Sequence, residues 1–430
     1  MSNVSVCAPL LDHMRHCTAK FIRNFRDSQR NSRAIMTTMN ILHVCPTFFP
    51  ATYWGGPIYS TQALCHHISG LSNVRLRVLT TDAAGPRIRD RLKLAANPAE
   101  YSNGYEVYYC RRIYKVSVSI ELLGRLREMI KWSTVVHLTG VYSFTTMPTL
   151  ILCRLYGKPV LWSGRGALKA AHDWQGFGKG RAKGLWEAVC NALRPVNTMA
   201  HVTSEAENNA TLARMPGLAT VVIPNGIDMP AIKPSRGWKP DGVLRASFVG
   251  RIDRIKAIEN LIKAVSVCTP KVELKVYGTG DAHYVRSLRR LVEELKVTDS
   301  VFFCGHVNDE DKEAAFRTTD VCIVPSHSEN FSMVVVEALS RGVPVIVSTG
   351  APWASVEIER CGLWVDNSPD SLARAINRMD TVDLQEMGER GRAWMERSFD
   401  WDSISRSFYR CYRELAKSGN LNDQIEDVDN

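Results

Sequence analysis

The chain has 430 residues, of which 45% are hydrophobic and 23% are charged, and its formal net charge is +10. This length exceeds what one hydrophobic core usually holds, so two globular domains are expected. No uninterrupted apolar stretch approaches the roughly 20 residues that span a bilayer, and the N-terminus lacks the apolar segment of a signal peptide. These features predict a cytoplasmic protein.

The twelve cysteines are scattered along the chain without any C-x-x-C pair. Many of them, such as Cys45, Cys153, Cys304 and Cys322, fall in apolar runs. We interpret these as reduced thiols of protein cores rather than as disulfides or zinc ligands.

The first 39 residues are polar and basic, with Met36 and Met39 near their end. Residues 1–39 are therefore predicted to be a flexible basic leader, or to lie upstream of the true translation start. From Asn40 onward, short apolar runs alternate with helix-like segments, which is typical of doubly wound parallel sheets. The predicted strands lie at 41–44, 77–80, 135–138, 159–162 and 199–202, and then near Ala246, Leu274, Val301, Val321 and Val345.

These elements predict a domain over 40–224 and a second domain over 244–395. The segment 225–243 is rich in Pro, Lys, Gly and Asp and is predicted to be the linker. A terminal helix is predicted over 396–417, and a polar, disordered tail over 418–430. Ser204 and Glu207 have the spacing of a capping box and predict a helix start in the first domain.

A strand, a polar loop and a helix follow one another late in the second domain. The apolar run 321–324 has the character of a buried parallel strand. Glu329 then lies in a loop at its carboxyl end, and Glu337 lies in a helix predicted over 331–341. Two carboxylates at this edge, with open amides at a helix start between them, suit a polar, phosphate-bearing ligand. The alternative is a solvated loop glutamate and a helix glutamate paired with Arg341.

Five segments of the sequence are more informative together than singly, because of the order and the spacing in which they occur. The segments are Val222-Ile223-Pro224-Asn225-Gly226-Ile227-Asp228, Phe248-Val249-Gly250-Arg251-Ile252-Asp253-Arg254-Ile255-Lys256, Val276-Tyr277-Gly278-Thr279-Gly280, Val301-Phe302-Phe303-Cys304-Gly305-His306-Val307 and the run from Glu329 to Glu337. Together they resemble the motifs of retaining glycosyltransferases of the large GT-B family usually called family 4, or glycosyl transferases group 1. The resemblance extends from about Asn40 to Leu415. Ala257 stands where a glycine often follows the phosphate-binding lysine of that family.

The resemblance implies two Rossmann-like domains facing a central cleft, with a nucleotide-sugar donor held by the second domain. It implies that Arg251 and Lys256 grip the donor diphosphate and that Glu329 acts near the transferred hexose. The catalytic candidates are Glu329, Arg251 and Lys256. The candidates for donor binding are Gly250, Arg251, Lys256, Asn330, Phe331, Ser332, Glu337, Gly55 and Gly56.

The charges of these side chains support the predicted diphosphate site without reference to the family. A leaving nucleoside diphosphate gains negative charge, which preorganised cations and amide dipoles stabilise. Arg251 and Lys256 flank the turn after a strand, where Gly250 permits close backbone approach, although a solvated pair on a basic surface is the alternative. The carboxylate of Glu337 can accept hydrogen bonds from both ribose hydroxyls.

Two side chains are candidates for the acceptor side. His137 ends a predicted strand, where it either borders the cleft or packs in the core. Arg165 lies in a loop where many relatives of the family have a histidine. Gly55-Gly56-Pro57 resembles the family's glycine-rich loop, whose backbone approaches the diphosphate and the acceptor, although such a sequence is also a common turn.

No obligatory metal or other cofactor is expected. Three D-x-D motifs occur, but two lie at predicted helix starts, where acidic residues favour the macrodipole, and one lies in the tail. They are Asp309-Glu310-Asp311, Asp400-Trp401-Asp402 and Asp427-Val428-Asp429. Gly278-Thr279-Gly280 lacks the third glycine of a dinucleotide fingerprint, which argues against a nicotinamide enzyme.

Basic residues are concentrated between 154 and 194, interleaved with Trp174, Phe177, Leu185 and Trp186. This pattern suits docking at an anionic membrane surface, with a soluble basic face as the alternative, and no motif indicates nucleic acid binding. We therefore predict hexose transfer from a UDP-sugar or GDP-sugar to a saccharide or lipid-linked saccharide, in polysaccharide or lipopolysaccharide assembly at the inner face of the cytoplasmic membrane. The alternatives are a GT-B phosphorylase, a nucleotide-sugar epimerase, or a noncatalytic nucleotide-sugar-binding partner subunit.

Overall fold

The computed structural model describes residues 38–85, 87–114, 117–169, 177–230, 237–239, 241–307 and 309–426. Nearly all of the predicted leader lies outside these ranges, as do part of the predicted linker, Trp174 and the motif Asp427-Val428-Asp429.

The first sheet has eight strands within the described residues, and neighbouring strands are parallel except at one edge. The strands are β1 (Met39–Val44), β2 (Val74–Thr81), β3 (Ala99–Glu100), β4 (Glu106–Cys110), β5 (Val135–Thr139), β6 (Val160–Ser163), β7 (Thr198–Val202) and β8 (Ala219–Val222). Their spatial order is β3-β4-β2-β1-β5-β6-β7-β8, and only the short edge strand β3 runs antiparallel to its neighbour. Ile41 pairs with Leu76 on one side and with Val135 on the other. Most residues of these central strands are buried because helices cover both faces of a parallel sheet.

In the part of the chain that the structure describes, the second sheet has six strands, all parallel. They are β9 (Leu244–Val249), β10 (Val272–Tyr277), β11 (Val301–Gly305), β12 (Val321–Val324), β13 (Val345–Ser348) and β14 (Gly362–Val365). Their spatial order is β11-β10-β9-β12-β13-β14.

Helices pack on both faces of each sheet and bury four apolar clusters against them. The described α-helices are α1 (Gly56–Ser69), α2 (Ile120–Trp132), α3 (Thr146–Leu155), α4 (Phe177–Leu193), α5 (Glu205–Arg214), α6 (Ile258–Val265), α7 (Ala282–Glu294), α8 (Asp309–Arg317), α9 (Met333–Ser340), α10 (Ser355–Ile358), α11 (Pro369–Thr381), α12 (Leu384–Ser398) and α13 (Trp401–Glu426). The predicted α/β class with two doubly wound parallel sheets is confirmed.

The terminal helix α13 lies against the first sheet although it follows the second in sequence. Trp401, Ile404, Phe408, Tyr412 and Leu415 are buried in a cluster shared with β1, β2 and α1. The helix thereby closes one face of the sheet formed by the first part of the chain.

Three predictions need correction. The helix expected to end near residue 417 continues to Glu426, so residues 418–426 are helical rather than disordered. The helix expected over 331–341 is α9, which begins at Met333. Cys304, predicted to be a core thiol, is exposed because it lies on the edge strand β11.

Candidate active site

The predicted site residues follow the two places where strand order reverses. In the first sheet β1 lies between β2 and β5, and in the second sheet β9 lies between β10 and β12. Connections from such strand pairs diverge at the carboxyl edge and leave a crevice there. Gly55 and Gly56 follow β1, Gly250 and Arg251 follow β9, and Glu329 follows β12.

The turn after β9 depends on close backbone packing against the turn after β10. A Cβ atom at Gly278 would lie 1.8 Å from the carbonyl oxygen of Gly250, and a Cβ atom at Gly280 would lie 1.9 Å from that of Ile252. Gly250 itself has a φ of 154°. Arg251 leaves this turn exposed, and its side chain has no hydrogen bond or ion pair within the described part of the chain.

Lys256 ends a short 3-10 turn, Arg254–Lys256, which Asp253 caps by accepting a hydrogen bond from the Ile255 amide at 3.1 Å. Ala257 follows with a φ of 48° and is fully buried. This left-handed conformation explains why glycine suits that position, since a residue with a Cβ atom is strained there.

Lys256 and Glu329 form an ion pair between neighbouring strand ends. The Lys256 ammonium donates to Oε1 of Glu329 at 2.5 Å, and the two side chains are 20% and 12% exposed. The Ser326 hydroxyl donates to the same oxygen at 2.8 Å, and the Glu329 amide donates to the Gly350 carbonyl oxygen at 3.0 Å. Because an ammonium has three donors, Lys256 can hold Glu329 and an anionic ligand at once.

The segment between the two glutamates is more constrained than the sequence indicates. Ser332 has a φ of 70° and precedes the first residue of α9. Phe331 is buried against Trp353, whose indole donates to the Phe331 carbonyl oxygen. The Phe331 side chain is thus a core element, and the Asn330 side chain turns toward the first sheet. Ligand binding by the amides of Asn330, Phe331 and Ser332 stays a prediction.

Glu337 lies in the second turn of α9 and is paired with a lysine from a different helix. The Lys312 ammonium, on α8, donates to the Glu337 carboxylate at 3.0 Å, and both side chains are about one-fifth exposed, at 22% and 19%. Arg341 instead contacts Glu313 at 2.6 Å and the main-chain oxygen of Glu337 at 3.0 Å. Lys312 is a neighbour of the predicted ribose-binding carboxylate that no sequence spacing indicated.

The glycine loop of the first sheet faces α9. Gly55 has a φ of 74° and precedes α1, which has Pro57 in its first turn and no acidic residue there. A Cβ atom at Gly56 would lie 3.9 Å from Cγ of Met333, the first residue of α9. The N-termini of these two helices, one from each sheet, therefore meet across the crevice.

His137, an acceptor-side candidate, is fully buried within the first sheet. Its Nδ1 lies 2.7 Å from the Tyr412 hydroxyl and its Nε2 lies 2.6 Å from the Ser163 hydroxyl. The His43 ring stacks on it with centroids 4.3 Å apart, and His201 lies 2.7 Å from the same serine. His137 therefore has no surface that an acceptor could contact. The structure shows the alternative, a histidine packed in the core.

These three histidines have strongly perturbed acidity. Burial lowers the pKa of His43 and the pKa of His201 from 6.5 to about 3, and the nearby Arg165 charge adds to the effect. Burial also holds the pKa of His137 well below its ordinary value. All three rings are accordingly neutral near pH 7.

Arg165, the other acceptor-side candidate, lies in the loop after β6 with a φ of 52°. Its guanidinium donates to Oδ1 of Asn225 at 2.7 Å, and burial lowers its pKa while the charge of Glu207 opposes that shift. Arg165 thus connects the carboxyl edge of the first sheet to the segment that leaves β8.

Two residues at the crevice, Glu207 and Lys169, make contacts that sequence reasoning missed. Glu207 was assigned to a capping box, and its amide does donate to the Ser204 hydroxyl at 3.2 Å. Its carboxylate, however, contacts Gly166 and Asn330, and the Lys169 ammonium contacts the main-chain oxygen of Glu329. These contacts join residues that are 123 and 160 positions apart, which no local pattern could indicate.

Comparison with known proteins agrees with this geometry. Residues 233–394 match the family model described as "Glycosyl transferases group 1". An uncharacterized glycosyltransferase of Methanocaldococcus jannaschii is 30% identical over 174 residues, which cover 39% of this chain and 44% of that protein. The chain spans about half the length of the curated relatives it matches.

Solved structures match nearly the whole chain. Sucrose-phosphate synthase from Thermosynechococcus elongatus has a TM-score of 0.69 and 21% identity, covering 88% of this chain and 100% of that one. Anabaena HepE in complex with UDP-glucose has a TM-score of 0.63 and 16% identity, covering 87% and 100%. At these identities the likeness is one of fold.

The fold and the crevice define a GT-B protein, with two Rossmann-like domains whose strand ends face each other. The part of the chain that is similar to glycosyl transferases group 1, residues 233–394, contains the whole second sheet.

Among the described residues, no group of three or more His, Cys, Asp or Glu side chains is arranged to hold a metal ion. Asp309 and Asp311 begin α8, and Asp400 and Asp402 flank the start of α13. Metal independence stays a prediction. Among the helices described, none combines the length and the apolar character needed to cross a bilayer.

Proposed function

We propose that the protein is a retaining glycosyltransferase that moves a hexose from a nucleotide-sugar, with a UDP-sugar as the first candidate. The observation that carries the proposal is the Lys256–Glu329 pair at the β9–β12 crevice, within the segment that matches the family. Arg251 follows the same strand β9, and its side chain has no ion pair among the residues that the structure describes. HepE, which shares the fold, was solved with UDP-glucose, and this supports a uridine donor.

The donor would lie with its diphosphate against the turn after β9. Arg251 and Lys256 would stabilise the negative charge that develops on the leaving β-phosphate, since preorganised cations act most strongly where charge appears. Glu337 would accept hydrogen bonds from the ribose hydroxyls, with Lys312 fixing its carboxylate.

The bond between the anomeric carbon and the β-phosphate oxygen would break with its electron pair going to that oxygen. The acceptor hydroxyl would bond to the anomeric carbon on the same face, and its proton would pass to the leaving phosphate. Glu329 would orient a sugar hydroxyl and stabilise positive charge at the anomeric carbon. Because Glu329 and Glu337 contact different parts of the donor, they are not the acid and nucleophile of a glycosidase. No step requires a metal ion.

The test is thermal unfolding of the purified protein with UDP, GDP, ADP and CMP. A ligand at 100 times its dissociation constant adds about 2.7 kcal/mol to the native state. We expect one diphosphate to stabilise the protein selectively, and Lys256→Ala and Glu337→Ala to lose that effect. Lys263→Ala and Glu357→Gln, both exposed on other helices, are the matched controls and should keep it. Unchanged midpoints with every nucleotide would contradict a nucleotide donor.

Product analysis separates the remaining alternatives. A phosphorylase would consume a glycosyl phosphate or inorganic phosphate without a nucleotide, and an epimerase would interconvert nucleotide-sugars without an acceptor. A noncatalytic subunit would bind the diphosphate but release no sugar. Release of free nucleoside diphosphate that depends on an added saccharide acceptor would be specific to a transferase.

The proposed acceptor is a saccharide or lipid-linked saccharide at the inner face of the cytoplasmic membrane. Leu155 on α3 and Leu185 on α4 are 71% and 68% exposed, and the exposed Arg181 and the partly exposed Lys183 lie on the same helix as Leu185. Exposed leucines among cations suit the boundary between anionic headgroups and acyl chains. This supports peripheral membrane binding by the first domain.

A further inference from the structure

The loop that carries Glu329 is held from the opposite side of the crevice. Within its own domain, the Glu329 amide donates a hydrogen bond to the Gly350 carbonyl oxygen, and the Glu329 carboxylate accepts one from the Ser326 hydroxyl. The Asn330 side chain, however, turns away from that domain and reaches the first one. Its amide nitrogen donates to Thr203 and to Glu207, each at 3.1 Å.

Glu207 is the centre of this contact. It is 1% exposed, and one carboxylate oxygen accepts from the Gly166 amide. The other oxygen accepts from the Thr203 amide at 2.8 Å, from the Thr203 hydroxyl at 2.7 Å and from Asn330. A buried carboxylate is costly unless it is fully hydrogen-bonded, so these donors explain how Glu207 is tolerated there.

Gly166 makes room for the contact. A Cβ atom at this position would lie 2.7 Å from Cγ of Asn330, and Gly166 has a φ of 80°. The loop after β6 therefore accepts the Asn330 side chain only because it has glycine at this point.

Lys169 adds a second connection three residues further along the same loop. Its ammonium donates to the main-chain oxygen of Glu329 at 2.5 Å. Burial lowers the pKa of Lys169, and the charges of Glu207 and Glu329 oppose the shift. The ammonium thus lies between a carboxylate of the first domain and the loop of the second.

We propose that Glu207, Asn330 and Lys169 form a latch that positions the catalytic Glu329 only when the two domains are closed. This inference rests on the proposed function for the role of Glu329. Opening the crevice would remove both acceptors of the Asn330 amide and the lysine that fixes the Glu329 carbonyl group. Loop geometry and domain closure would then be coupled, with Glu207 as a positioning residue that does not touch the donor.

The experiment measures closure directly by small-angle X-ray scattering of the full chain without nucleotide. We expect Glu207→Gln and Asn330→Ala each to increase the radius of gyration, and the double variant to increase it no further than either alone. Glu205→Gln, an exposed residue on the same helix, is the control and should scatter like the unchanged protein. Variants with unaltered melting temperature and unaltered scattering would overturn the latch. If Glu207→Gln does not fold, Asn330→Ala decides the question.

A second measurement separates positioning from simple destabilisation. UDP affinity should be unchanged in Glu207→Gln, whereas kcat with the donor that proves active should fall about 10- to 100-fold, as expected for a misplaced catalytic group. An unchanged kcat would overturn the positioning role. If the protein without substitutions binds no nucleotide, the proposed function is wrong. The small-angle scattering experiment still tests the latch in that case.

Discussion

Gly278 lacks a side chain because the main chain of a neighbouring turn occupies the space. A Cβ atom there would lie 1.8 Å from the Gly250 carbonyl oxygen, and Gly278 also has a φ of 143°. The obstructing atom belongs to the backbone that presents Arg251, so it cannot move without shifting the proposed diphosphate site.

We therefore expect Gly278→Ala to lower the free energy of unfolding by about 1–3 kcal/mol, as overpacking does, and to weaken nucleotide binding. Urea denaturation and UDP titration would measure both effects. Gly124→Ala is the matched control, because Gly124 lies in α2 with open space around it. That change should stabilise the protein by about 0.5–1 kcal/mol. A stable Gly278→Ala protein with normal nucleotide binding would contradict the packing argument.

At the level of elements, α13 is attached to the first sheet through polar as well as apolar contacts. The Tyr412 hydroxyl bonds to His137, which bonds to Ser163, which in turn bonds to His201. The network is enclosed by apolar residues of α13 such as Phe408. Such a network is stable only while each histidine stays neutral.

The pH dependence follows from the depressed pKa values. His43 and His201 have folded pKa values of about 3 against 6.5 in an unfolded chain. Their contribution to stability is therefore complete above pH 6.5 and is lost as pH falls from 6.5 toward 3. Each histidine that stays neutral costs about 1.4 kcal/mol of stability per pH unit within this window.

Urea denaturation at pH 7.5, 6.5 and 5.5 would measure this dependence. We expect stability to fall steeply below pH 6.5, and His201→Gln to reduce that slope because one titrating group is removed. Gly124→Ala, which alters no titratable group, should leave the slope unchanged. Equal slopes in all three proteins would show that the buried histidines do not govern acid stability.

At the scale of the whole molecule, the proposed membrane docking depends on the exposed leucines and cations of the first domain. Anionic headgroups attract clustered lysine and arginine side chains, and this attraction weakens as salt screens it. We expect the protein to float with liposomes that contain phosphatidylglycerol, and not with neutral liposomes. Replacing Leu155 and Leu185 with serine should reduce flotation, whereas Val267→Ser, an exposed apolar residue of the second domain, should not. Flotation independent of anionic lipid would contradict membrane docking.

The fold class could be predicted because its signals are local. Buried parallel strands such as β1, β9 and β12 are short apolar runs bounded by turn residues, and periodicity alone locates them. Strands β3, β4, β8 and β14 were missed. Strands β3, β8 and β14 are short edge strands, and β4 has neither a continuous aliphatic run nor a strict alternation of polar and apolar residues. The positions of Arg251, Lys256 and Glu329 could be predicted for the same reason, because each lies in the connection that follows a recognisable strand.

The surroundings of the site residues could be determined only from the folded structure. Whether His137 borders a cleft or lies in a core depends on α13, which arrives 275 residues later to cover it. Glu207 has the sequence of a capping residue, yet its carboxylate serves Asn330 of the other domain. Local patterns determine which elements form and where their ends lie. Buried polar contacts between distant segments depend on how the elements pack, because a carboxylate or an imidazole takes its partners from whatever donors surround it.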